Sequence, residues 1–127
     1  DAVNGAFMLV TQSAFSTVGA LDETYWMYCE DLDWCVRFRD AGWRVVYDGR
    51  VTALHVKGAS SGKRRSLRLN YEFHRSVMIF YRQHLAPANP GAFNILIILA
   101  IWIRFSLVQT TTMMINAIAK MRAHARP

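Results

Sequence analysis

Apolar and polar positions alternate along this chain with several distinct periods. Residues 5–10 (Gly-Ala-Phe-Met-Leu-Val) form an unbroken apolar run of strand length, which predicts a buried strand. Thr11 follows as an N-cap for a short helix that Gly19 ends. Asp22 to Tyr28 reads as a turn rich in aromatic residues. Helical spacing then predicts a helix from about Glu30 to Ala41, stopped by Gly42. Trp43 to Tyr47 and Val51 to Val56 predict two short strands around Asp48-Gly49, and 58–62 (Gly-Ala-Ser-Ser-Gly) predicts a loop. Residues 66–85 have the pattern of an amphipathic helix. Arg68, Arg75 and Arg82 fall within about 40° of one another at 100° per residue, and Glu72 shares that face. Leu69, Phe73, Val77, Phe80 and Tyr81 lie on the other side, and Pro87 and Pro90-Gly91 break the helix. Residues 95–103 are nine consecutive apolar residues, and 18 of the 25 residues in 95–119 are apolar. That window is long enough to span a bilayer, although Arg104 and residues 109–112 interrupt it.

Charge divides the chain. Residues 1–62 carry five basic and eight acidic side chains, a balance of −3, whereas 63–127 carry ten basic residues and only Glu72, a balance of +9. A basic segment suits nucleic acid or an anionic membrane surface. The nine-residue apolar run argues against a soluble nucleic-acid domain. The hydrophobic fraction of 53% excludes a disordered chain. Cys29 and Cys35 stand about 120° apart around one helix and roughly 9 Å along it, too far for an undistorted disulfide. Free thiols fit a reducing compartment. No CxxC or HxxxH spacing suggests a zinc site.

The densest chemistry is at 28–37, where Glu30, Asp31 and Asp33 open a helix. Acids in a first turn are favoured by the helix dipole alone. The alternative is a general base that takes the proton from an attacking hydroxyl. Glu30 and Asp33 lie about 60° apart in projection and Asp31 and Asp33 about 200°, so the Asp-x-Asp is not a shared metal site. One acid is expected to face a cleft and another to hold structure. Arg37 is positioned to pair with Asp33 at i,i+4. Taken alone, His55 reads as a strand-end core histidine and Lys57 to Arg65 as a solvated basic loop.

The order of 5–10, 15–19 (Phe-Ser-Thr-Val-Gly), Leu21-Asp22-Glu23, Tyr28 to Arg37, Gly42-Trp43 and His55 to Ser60 resembles the second half of family 2 glycosyltransferases. The likeness covers about residues 4–85 and is nearest to bacterial rhamnosyltransferase-like members that build surface polysaccharides. It implies an α/β fold, the C-terminal part of a GT-A nucleotide-diphospho-sugar transferase. Residues 1–62 would belong to the catalytic domain, 63–92 to a basic helix and linker, and 93–127 to an apolar, membrane-associated helix.

The resemblance makes Asp31 the catalytic base, with Glu30 beside it. It makes His55 a ligand of a divalent metal, Mn²⁺ or Mg²⁺. Gly5, Ala6, Phe7, Trp26, Tyr28, Asp33, Lys57 and Ser60 would contact substrate, the aromatic rings by stacking on a sugar face. It implies an inverting transfer from a nucleoside-diphosphate sugar to a saccharide or polyprenyl-linked acceptor, at the cytoplasmic face of a bacterial inner membrane and without nucleic acid. The family's nucleotide-binding half lies upstream of these motifs, so the chain alone is expected to be inactive. The competing reading is a non-catalytic membrane-anchoring or interaction module, which leaves the acidic cluster and His55 unused.

Overall fold

The computed structural model describes residues 2–55 and 66–124, with side chains described to residue 122. They fall into two compact units, divided between Lys57 and Gly58.

In the first unit, Thr11 caps α1 (Gln12–Val18) by accepting the Ala14 N–H at 3.3 Å, and Gly19 closes it at a φ of 82°. The α2 helix (Glu30–Asp40) ends at Ala41, followed by Gly42 at a φ of 83°. Tyr28 and Cys29 enter α2 with φ of 70° and 64°. Two consecutive left-handed residues other than glycine are costly, and they turn the chain sharply just before the acidic helix start.

The α/β expectation is overturned: the described residues form helices and no strand, so the chain does not itself display a GT-A sheet. Each expected strand fails for a local reason. At 5–7 the Asn4 side chain turns the backbone by accepting the Ala6 N–H at 2.9 Å, and Asp31 takes the Gly5 N–H. Around Asp48-Gly49 the turn does form, with Arg50 donating to both Asp48 oxygens. Its flanks, however, exchange no ladder bonds, and the described part of 51–56 is irregular and exposed. A strand is stable only when a neighbour satisfies its backbone and covers its apolar face, and these segments find neither. Leu9 and Leu54 are accordingly 87% and 96% exposed.

The second unit is a helical hairpin. Ser66 caps α3 (Leu67–Phe80) by accepting the Leu69 N–H. A π-helical turn (Tyr81–Leu85) and a 3-10 turn (Ala86–Ala88) then lead to Pro90. The α4 helix (Gly91–His124) runs unbroken for 34 residues. Asn94 holds the connection, accepting from the Tyr81 hydroxyl at 2.6 Å and donating to Ala86 O and Asn89 O. Asn70 donates to Gln109 Oε1 at 2.6 Å. Since 70 pairs with 109 and 81 with 94, the two helices run antiparallel.

Asn70, His74 and Tyr81 make this contact, so α3 faces α4 with the edge of its apolar arc, turned about 60° from the centre of that arc. Leu69, Phe73 and Phe80 remain only half-buried. Residues Gly91–Arg122 are apolar enough by length and composition to cross a membrane, and none of their most apolar window is buried.

Candidate functional site

The site is built on the first turn of α2, which assigns its three carboxylates to three surroundings. Asp33 points to the end of α1. It is 2% exposed and accepts from Arg37 Nε at 2.8 Å. The same guanidinium donates to Val18 O at 3.1 Å and Ala20 O at 2.9 Å, and Trp34 Nε1 donates to Gly19 O at 2.9 Å. These carbonyls belong to the unsatisfied end of α1, so α2 caps its neighbour with a cation and an indole. Asp33 balances that cation.

Asp31 points to the N-terminal segment. Its Oδ2 accepts the Gly5 N–H and its Oδ1 the Leu32 N–H, both at 2.9 Å. A Cβ on Gly5 would come within 3.2 Å of the Asp31 Cβ, closer than most such contacts, so a side chain there would press on Asp31. Each carboxylate oxygen keeps a further lone pair. Asp31 is therefore oriented by the backbone and remains half-exposed.

Glu30 lines a cleft of about 510 Å³ walled by Phe15, Leu21, Tyr25, Trp26 and Trp34. Its Oε2 is buried without a hydrogen-bond partner. Trp34 stands edge-on to Phe15 and tilted against Phe38, which fixes that wall. Trp26 is half-exposed at the rim, leaving a ring face to solvent. Burial, with Asp33 and Asp22 next, pushes the Tyr25 phenol well above its ordinary range, so it stays a neutral hydroxyl. The Cys29 thiol is pushed up to about 11, first by burial and then by Asp31 and Glu30, and is no nucleophile at neutral pH. Cys29 and Cys35 are both free thiols. An aromatic cleft that also carries Asp22, Glu23 and Glu30, with one Glu30 oxygen unsatisfied, suits a ring that carries hydroxyl donors, which is the chemistry of a saccharide.

The structure thus brings together Gly5 and Asp31, and separately Glu30 and Trp26. Ala6 and Phe7 are exposed in the Asn4 turn, and Tyr28 occupies the left-handed bend. Lys57 and Ser60 lie outside the described residues. His55 is exposed, and among the described residues no three of His, Cys, Asp and Glu converge. Among the described residues His55 is a single donor, and the segment that follows it lies outside them. Sequence reasoning missed Phe15, Tyr25 and Trp34 as cleft walls. Trp34 stands four residues after Glu30, one turn along the same helix face, and that spacing was the available signal.

Comparison with known proteins adds an independent line. Over 78 residues the chain is 41% identical to the N-acetylglucosaminyl-diphospho-decaprenol L-rhamnosyltransferase of Mycobacterium tuberculosis, covering 61% of this chain and 25% of that protein. It is 47% identical over 51 residues to Rhamnosyltransferase WbbL of Escherichia coli, covering 40% and 19% respectively. A third likeness, 31% over 55 residues, is to the low-salt glycan biosynthesis hexosyltransferase Agl10 of Haloferax volcanii, covering 43% and 18%. These homologues are rhamnosyl- and hexosyltransferases, and the chain spans a quarter or less of their length. No family model matches, and no solved structure matches.

Proposed function

We propose that the first unit supplies the acceptor side of an inverting, family 2 glycosyl transfer. One observation carries this reading. A single helical turn, in a chain similar to rhamnosyltransferases, separates an oriented carboxylate, a carboxylate in an aromatic cleft and a structural carboxylate. Asp31 is the base. It takes the proton of an acceptor hydroxyl as that oxygen forms its bond to the anomeric carbon of a nucleoside-diphosphate sugar. The bond from that carbon to the donor's phosphate oxygen breaks on the opposite face, and the nucleoside diphosphate leaves. Holding Asp31 by two backbone N–H groups fixes its direction before the acceptor arrives. Glu30 accepts from a neighbouring acceptor hydroxyl, and Trp26 covers a face of the sugar ring.

The donor chemistry nearest to the relatives is a rhamnosyl nucleoside diphosphate, and the acceptor a saccharide, free or on a polyprenyl diphosphate. In the full-length protein, Glu30→Gln and Trp26→Ala should each raise the acceptor KM by about tenfold, with donor KM unchanged. An acceptor KM that moves in neither variant removes the cleft from the acceptor site. The chain's contribution would then reduce to its hairpin, the anchoring module.

We propose further that the hairpin lies in the interface of a membrane, at its cytoplasmic face, rather than crossing it; the length and apolar composition of α4 support this reading. Because α3 runs beside residues 94–109, its arginines accompany that half of α4. The remaining 110–124 extend only about 22 Å at 1.5 Å per residue, short of a hydrocarbon core of about 30 Å. In a background lacking Cys29 and Cys35, single cysteines at Ala92 and Ala119 should both react with an impermeant maleimide from the cytoplasmic side. Labelling from opposite sides would establish a span and defeat the in-plane placement.

A further inference from the structure

The hairpin holds a second cavity. Along one edge of the α3–α4 contact, His74, Arg75, Met78 and Arg82 face Trp102 and Phe105 across a groove of about 240 Å³. Its lining combines two guanidinium groups and an imidazole with aliphatic and aromatic side chains.

His74 is the unusual member. It is 6% exposed and held between the rings of Phe73 and Phe105, with centroids at 5.2 and 5.5 Å. Its Nδ1 lies 2.8 Å from Asn70 O, and since a carbonyl only accepts, Nδ1 carries the hydrogen. That leaves Nε2, buried and without a partner, in the groove wall. A buried ring nitrogen with no partner is costly unless something outside the chain satisfies it.

The charge around it is one-sided. Glu72 is the only acidic residue after Asp48 in the sequence, and it forms an ion pair with Arg75 Nη1 at 3.8 Å. Arg82, one helical repeat further, is exposed. Beside the groove, α4 presents Trp102, Ile95 and Leu99 to the outside.

We propose that this groove seats the phosphate head of a membrane lipid. Arg75 and Arg82 pair with its anionic oxygens. The bare Nε2 of His74 accepts from a hydroxyl of the head, a P–OH or a neighbouring alcohol. The hydrocarbon chain lies along the exposed apolar surface of α4. A basic recess between helices beside a greasy face is the arrangement that anionic lipid heads occupy. A soluble phosphate would make no use of the Met78, Trp102 and Phe105 walls. The inference rests on the membrane part of the proposed function and not on Asp31, Glu30 or transfer.

The test is native mass spectrometry of the full-length protein released from non-ionic detergent micelles, titrated with farnesyl phosphate, phosphatidylglycerol or inorganic phosphate. One saturable lipid per chain is expected. Arg82→Gln and His74→Phe should each weaken it by about ten- to a hundredfold, the loss of one hydrogen bond to an anionic head. The phenylalanine keeps the ring contacts with Phe73 and Phe105, and Arg82, being exposed, gives a variant that leaves the fold intact should His74→Phe disturb it. Tighter farnesyl phosphate supports an isoprenoid phosphate as occupant, and equal affinity supports bulk anionic phospholipid. No saturable lipid binding, inorganic phosphate binding as tightly as either lipid, or affinities unmoved by both substitutions would overturn the proposal. A protein that binds the lipid but transfers no sugar would refute the transferase reading and leave the groove standing.

Discussion

Asp31 and Asp33 sit two residues apart, and substituting each with asparagine should separate turnover from stability. Asp33→Asn removes one partner of an ion pair whose acid side chain is 3% exposed and whose arginine is 28% exposed. Breaking a fully buried pair costs about 3–5 kcal/mol, because the surviving charge is left uncompensated. Arg37 keeps its bonds to Val18 O and Ala20 O and some contact with water, so the expected cost is about 3 kcal/mol or less. Against a total stability of about 5–15 kcal/mol, that is a visible loss in urea midpoint. Asp31→Asn should behave oppositely. The amide oxygen still accepts one of the two backbone N–H groups, the site is half-exposed, and the stability cost is about 1 kcal/mol. What disappears is the proton acceptor, and turnover should fall by about 10²–10⁴-fold while donor binding changes little. The assay pairs urea denaturation with initial rates for both variants of the full-length protein. If Asp33→Asn abolishes turnover at unchanged stability while Asp31→Asn retains its rate, the division of labour on α2 has been read the wrong way round.

Gly5→Ala should lower turnover by about tenfold or more, because the new methyl pushes on the Asp31 side chain at 3.2 Å and an ångström of misplacement is expensive; an unchanged rate would detach Gly5 from the base. Cys29 titrates near 11 when folded and near its ordinary value of about 8.5 when unfolded, so the folded state holds this proton more tightly. Its stabilisation is complete below about pH 8.5 and declines as pH rises to about 11, and Cys29→Ser should flatten that part of the urea-midpoint profile; superimposable profiles would contradict it. His55→Ala should raise the Mn²⁺ concentration needed for activity if His55 completes a metal site with ligands beyond the described residues, and an identical titration would leave it an ordinary exposed histidine.

What the sequence made legible was local. Thr11, Gly19 and Gly42 act within one helical turn of themselves, and they marked helix ends that the structure reproduces to within a residue. The Arg37–Asp33 pair is a one-turn relation and was equally visible. The expected strands were not local properties. An apolar run announces a need for burial without naming a partner, and at 5–7 the Asn4 side chain and the Asp31 carboxylate met the backbone's needs in another way. Helical projection separated Asp31 from Asp33. It did not show that Gly5, 26 residues earlier, would orient the first, or that the bare carbonyls ending α1 would recruit the partner of the second.

The hairpin shows why an amphipathic projection misjudges a helix in apolar surroundings. In water, α3 would bury the centre of its apolar arc, since removing Phe73 and Phe80 from solvent is the main gain. Instead the contact is centred on polar pairs, Asn70 with Gln109 and Tyr81 with Asn94, and the large apolar side chains of α4 point outward. Where the surroundings are as apolar as leucine, helix pairing gains little from burying hydrocarbon, and interhelical hydrogen bonds contribute more of the specificity. A helix pair joined by these polar bonds, with Ile95, Leu96, Leu99 and Ile103 outside, fits the lipid-facing environment proposed for it. Arg68 and Arg75 of α3 and Arg82 of the turn that follows suit the aqueous margin of that environment. The interfacial placement proposed above meets both conditions together, with the apolar side of α4 toward hydrocarbon and the basic groove level with the phosphates.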